Sequence, residues 1–106
     1  MRLEIIPWSG RKRPTATDLR ERLEADAYEP LQWHDPPGAS YEPHAHDCDE
    51  VLWVVDGRIT FGIEGRDFAL GPGDRLMLPK RTVHTARAGA AGATYWIGER
   101  REGAPG

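Results

Sequence analysis

The stretch Gly38-Ala-Ser-Tyr-Glu-Pro-His44-Ala-His46-Asp-Cys48-Asp-Glu50-Val-Leu-Trp-Val-Val-Asp-Gly57 sets two histidines two positions apart and a glutamate four positions after the second. Imidazole nitrogens and carboxylate oxygens bind divalent first-row metals well. His44, His46 and Glu50 also share one parity, so on an extended segment they face the same way. A second block, Gly73-Asp-Arg-Leu-Met-Leu-Pro79-Lys-Arg-Thr-Val-His84, is a Gly-Asp turn, an apolar run, a proline and another histidine. Three of the chain's four histidines therefore fall in two ordered blocks.

Outward from these blocks, the chain from Gln32 onward is a series of short apolar runs bounded by turn residues, the pattern of a compact all-β sandwich or barrel. Asp35-Pro-Pro-Gly, Asp56-Gly57, Glu64-Gly65, Gly71-Pro-Gly-Asp and Ala88-Gly89 supply the punctuation, with Asp56-Gly57 suited to a hairpin. Strands are expected at about 39–46, 50–56, 58–63, 66–70, 74–79, 83–88 and 93–98. Ile59, Phe61 and Ile63 alternate with Arg58, Thr60 and Gly62, as one buried face requires. Val51 to Val55 is apolar on both faces. If Glu50, Leu52 and Val54 point into a barrel, then Val51, Trp53 and Val55 need cover from the N-terminal segment or from a second subunit.

Residues 1–35 are expected to be an extension packed on a barrel domain of residues 36–106. Leu3 to Trp8 suits an edge strand, and Thr15 or Thr17 can cap a short helix running to about Ala27 with Leu19 and Leu23 on its apolar stripe. Asp18 and Arg22 stand in a favourable i, i+4 order on the opposite side.

The chain has 106 residues, which is one domain on the usual prior and enough to bury a core without disulfides. Its lone Cys48 fits a reducing compartment. No basic segment followed by a long apolar stretch opens the sequence, and no run reaches membrane-spanning length, so a cytoplasmic protein without a membrane partner is expected. The net charge of −3 is spread evenly, which argues against a nucleic-acid partner, and Arg11-Lys12-Arg13 beside a proline is a solvated turn.

Together the two blocks resemble the cupin superfamily, in its small single-domain form. Its first motif, Gly, five residues, His-x-His, three or four residues, Glu, six residues, Gly, is met by Gly38, His44, His46, Glu50 and Gly57. Its second, Gly, five residues, Pro-x-Gly, two residues, His, three residues, Asn, is met at Gly73, Pro79 and His84, with Arg81 in the place of Gly and Ala88 in the place of Asn. The resemblance implies an all-β double-stranded β-helix, the cupin jelly-roll barrel, with a short strand and helix ahead of it. It also implies that His44, His46, Glu50 and His84 are metal ligands.

Three imidazoles and one carboxylate leave two neighbouring positions of an octahedron open, unlike a closed structural zinc site. The set suits one divalent ion, Fe, Mn, Ni, Zn or Cu, without choosing among them. His34 is expected as a strand residue at the rim, outside the site. Cys48 shares the ligands' parity yet is read as a bystander thiol, with a role beside the metal as the alternative. Tyr41, Met77 and Tyr95 are read as core or interface packing, with lining a pocket as the alternative, and Trp53 and Trp96 suit a homodimer interface.

Two functions from different classes follow. One is a metal-dependent enzyme acting on a small oxygenated molecule, dioxygenase-like in preference to isomerase-like, with catalytic groups unknown because no further inward acid or base is evident. The alternative is a non-catalytic module that binds or senses a metal or small ligand. A sugar-modifying cupin is a more distant third.

Overall fold

A computed structural model gives the fold, and residues 1–100 are described. The last positions of the expected barrel domain, 101–106, lie outside the described residues. The elements are β1 (Glu4–Ile6), α1 (Ala16–Ala25), β2 (Glu29–Asp35), β3 (Ser40–His44), β4 (Asp49–Ile63), β5 (Arg66–Leu70), β6 (Arg75–Leu78) and β7 (His84–Arg100). The strands form one antiparallel sheet, ordered β1-β6-β4-β7-β2, with β3 added on β7 and β5 on β4.

Two long, bent strands fold the sheet over on itself. The first half of β4 pairs with β6 on one side (Glu50 opposite Leu78) and with the last part of β7 on the other (Leu52 opposite Ile97). Its second half pairs with β5 (Phe61 opposite Phe68) and with the first part of β7 (Phe61 opposite Ala86). The pairing of β4 with β7 shifts register between Val54 and Asp56 and again between Gly57 and Ile59, and such irregularities bend a strand. Asp56-Gly57 is therefore a bend inside a continuous strand and not the hairpin its sequence suggests. Gly57 has φ +77°, and a Cβ there would run into the Gly92 carbonyl, so the position demands glycine. The same merging joins the strands expected at 83–88 and 93–98 into β7.

β2 was not among the expected strand ranges, although His34 within it was expected as a strand residue. It pairs with β7 from Glu29 opposite Glu99 to Asp35 opposite Ala93. Its burial pattern explains the omission: of Glu29–Asp35, only Asp35 is fully buried, and the outer residues give no apolar alternation.

The core lies in two layers. Inside the barrel, Leu52, Val54, Ile59, Phe61, Ile63, Leu70, Leu76 and Leu78 pack together. Outside, Val51, Trp53 and Trp96 pack against Leu19 and Leu23 of α1 and against Tyr28. Thr15 caps the helix, its Oγ1 accepting from the Asp18 amide at 3.1 Å. Trp96 Nε1 donates to the Ala16 carbonyl at 2.8 Å, and Trp53 Nε1 to the Gly73 carbonyl at 2.8 Å. The N-terminal segment is thus the cover that Val51 and Trp53 need. Trp53 is only 4% exposed and Trp96 9%, so neither offers the interface surface expected of it. Arg22, expected to pair with Asp18, lies over the Trp8 ring, 5.2 Å from its centroid.

Candidate metal centre

β3, the loop after it, and the start of β7 bring the three motif histidines to one end of the barrel interior. His44 and His84 are direct cross-strand neighbours. Their ring centroids are 4.3 Å apart, those of His44 and His46 4.9 Å, and those of His46 and His84 5.4 Å. One nitrogen from each lies within 4.8 Å of the other two, so the trio could hold a metal ion.

Two of the rings are fixed in the tautomer a metal needs. His44 Nδ1 lies 2.8 Å from the Glu42 carbonyl oxygen and His84 Nδ1 lies 2.9 Å from that of Thr82. A carbonyl oxygen only accepts, so in each neutral ring Nδ1 carries the hydrogen and Nε2 keeps its lone pair. Orienting contacts of this kind are the usual outer support of a ligating histidine. Burial, followed by the neighbouring His44, holds His46 below the ordinary histidine pKa. His84 is also lowered, with burial outweighing its bond to Thr82 and with His44 and His46 adding to the effect. Neutral imidazoles are the form that ligates.

Glu50 on β4 has Oε1 at 3.6 Å from His46 Nε2. It is 4% exposed. Burial, then the charge of Glu99 and a hydrogen bond with it, push the Glu50 carboxyl up to about 7. A divalent ion nearby would reverse that penalty.

Glu99 is a cavity residue that sequence reasoning missed. It stands opposite Glu50 on β7 and lines the same cavity. The signal was present, since Tyr95, Ile97 and Glu99 follow one another at period two and all face the cavity, but the expected strand ended one residue short. Cys48 is nearer the site than a bystander, because its Sγ lies within 4.8 Å of carboxylate oxygens of both Glu50 and Glu99. Burial is the main cause raising its thiol pKa, with the charge of Glu99 next, so it is a poor nucleophile. His34 is exposed, as expected, with Nδ1 2.8 Å from Thr94 Oγ1. Met77 packs in the outer layer under α1 and does not reach the cavity.

The histidines open onto a cavity of about 220 Å³ whose apolar wall includes Leu31, Leu52, Phe61, Ala86 and Ile97. Tyr41 and Tyr95 line it too. Both hydroxyls donate to the carboxylate of Asp35, which is 1% exposed, and the Tyr95 bond is 2.7 Å long. Trp33 Nε1 donates to the same carboxylate at 2.9 Å. Asp35 belongs to a segment whose sequence signals only a turn, and nothing local foretold its burial.

A chain of this shape has known counterparts. A cupin-2 domain protein of Shewanella frigidimarina superposes with a TM-score of 0.62 at 24% identity, over 70% of this chain and 71% of its own. Among curated relatives, an acireductone dioxygenase of Bacillus licheniformis is 40% identical over 48 residues, covering 41% of this chain and 27% of the relative. A quercetin 2,3-dioxygenase of Bacillus subtilis is 34% identical over 53 residues, 49% of this chain and 16% of the relative. This chain thus spans about a quarter or less of the length of those two relatives. Residues 31–97, well over half the chain, match the sequence model of the cupin domain, and the chain belongs to that family.

Proposed function

We propose that His44, His46, His84 and Glu50 hold one divalent transition-metal ion, and that the protein is a metal-dependent enzyme of dioxygenase or isomerase type acting on a small oxygenated molecule. The observation that carries the metal reading is the pair of Nδ1–carbonyl contacts at His44 and His84, which leave two Nε2 lone pairs free in a trio of converging imidazoles. A bound ion would supply Lewis-acid polarisation of a substrate oxygen. The chain's own residues supply the rest. The apolar wall excludes water and accepts a compact carbon skeleton. Glu99, hydrogen-bonded to Glu50, is the group placed to hold or pass a proton beside the ligands.

The dioxygenase form is favoured because both curated relatives bear that name, though each is matched over a minority of its length. Anaerobic loading with Fe(II), Mn(II), Ni(II), Cu(II) or Zn(II), followed by oxygen uptake on catechol, diketone and thiol panels, tests it. Uptake by at least one redox-active form is expected. Inactivity of every form would remove the oxygenase reading and leave the non-catalytic binding module. The proposed assembly is a homodimer in a reducing, cytoplasmic setting. Since α1 covers Trp53, its contact would use another face. A monomer by sedimentation at micromolar concentration would overturn the dimer.

A further inference from the structure

The cavity has a second polar end that the metal reading does not use. Asp35, buried at the end of β2, gathers three donors: the Tyr41 hydroxyl and Trp33 Nε1 on Oδ1, and the Tyr95 hydroxyl on Oδ2. Trp33 Nε1 is shared, lying 3.1 Å from the Tyr41 oxygen as well. A phenol has one proton and an indole has one, so all three protons are committed among these four residues. The Tyr41 and Tyr95 oxygens are left with lone pairs only, and both residues line the cavity. This end of the cavity can accept hydrogen bonds and cannot donate them.

We propose that Asp35 fixes the hydrogen-bond polarity of the cavity, so that Tyr41 and Tyr95 select ligands carrying a donor, a hydroxyl or an amine, on the part remote from the metal. The proposal rests on the metal reading above. The ligand class it defines is a compact molecule that chelates the ion through oxygen at one end and donates a hydrogen bond at the other. The positions fit that geometry, because the Tyr41 ring centroid is 6.4 Å from that of His44 and the cavity joins both groups. Burying a donor that finds no acceptor is costly, and the reverse mismatch, an acceptor facing an acceptor, is costly too. Asp35 acts through the two tyrosines and is a positioning residue.

The test uses zinc-loaded protein under argon and three catechols that share one chelating head. 4-(Hydroxymethyl)catechol has a donor tail, 4-methylcatechol has neither donor nor acceptor, and 4-(methoxymethyl)catechol has an acceptor only. Calorimetry is expected to show the hydroxymethyl compound binding the wild type about tenfold more tightly than the other two, the worth of one good buried hydrogen bond. Tyr41→Phe and Tyr95→Phe should each reduce that preference with zinc stoichiometry unchanged. Asp35→Asn should move it toward the methoxymethyl compound, because the Asn amide donates to one phenol oxygen and turns that hydroxyl's proton into the cavity. A purely structural role would weaken all three compounds alike in the variants, and that result would overturn the proposal. Equal affinities in the wild type, or zinc binding without binding of any catechol, would overturn it while leaving the metal centre standing. Failure of the wild type to bind zinc would overturn both.

Discussion

Glu50 is set against its own charge in the metal-free protein. Burial and the Glu99 carboxylate raise it to about 7 from the ordinary 4.5, so its ionised form costs the fold about 3 kcal/mol. The folded state therefore binds this proton more tightly than the unfolded chain. Its stabilising effect is full below pH about 4.5 and is lost as pH rises to about 7. His46 and His84 act in the other direction. Their lowered pKa values make the folded state the weaker proton binder, so they remove stability as pH falls below 6.5. Chelator-treated Glu50→Gln should thus unfold at higher urea than chelator-treated wild type at pH 8, with the gap closing toward pH 4.5. A constant gap across that range would show that Glu50 is not held in this way. At this scale the sequence was most legible in the motif spacing: His44, His46 and His84 converge, and Glu50 Oε1 lies 3.6 Å from His46 Nε2. Glu99 and Asp35 were hidden because their roles depend on which strand lies opposite, and single-chain spacing does not encode that.

Among the elements, the turn between β6 and β7 shows what a departure from the family's pattern means physically. Arg81 stands where the second motif has glycine, and the backbone has kept the conformation glycine would adopt, with φ +63°. Its amide donates to the His46 carbonyl at 2.7 Å, so this turn supports the loop that carries a proposed ligand. A non-glycine residue in the left-handed region costs roughly 1–2 kcal/mol, and glycine regains about half of that after its larger unfolded-state entropy, roughly 0.4–1 kcal/mol, is subtracted. Since the Arg81 side chain is exposed, little packing is lost on its removal. Arg81→Gly should therefore stabilise the protein by about 0.5–1 kcal/mol in urea denaturation without changing metal content. Destabilisation would mean that the Arg81 side chain makes a contribution larger than the backbone strain. The motif glycines that are retained behave consistently: Gly38, Gly57 and Gly73 have φ of +73°, +77° and +89°. Alternation within Ile59–Ile63 was readable because its two faces differ, whereas Asp56-Gly57 carries the same local chemistry whether the chain reverses or merely bends. Only the long-range pairing of β4 with β7 on both sides of that point distinguishes the two.

For the whole molecule, closure of the barrel is what creates the site. The first motif supplies His44 and His46 from β3 and its following loop and Glu50 from β4, while His84 arrives from the start of β7. No contiguous segment contains the centre, and it exists only when β7 has paired with both β3 and β4. The all-β class was legible from turn spacing and alternation, and the family from the two motifs. What covers the Trp53 face was not, because a helix and a second subunit present the same kind of apolar surface to a sequence reader. α1 settles that locally through Leu19 and Leu23. The same closure should make metal binding separable from folding, since Val54, Ile59, Leu70 and Leu76 of the inner core do not line the cavity that holds the histidines. The most direct measurement is the metal content per chain, by elemental analysis after zinc loading and desalting, of wild type and of the His46→Ala, His84→Ala double variant. A cooperative urea transition for each serves as the check on folding. About one zinc per wild-type chain and close to none in a folded double variant is the predicted result, and equal metal content in the two proteins would contradict the assignment of these residues as ligands.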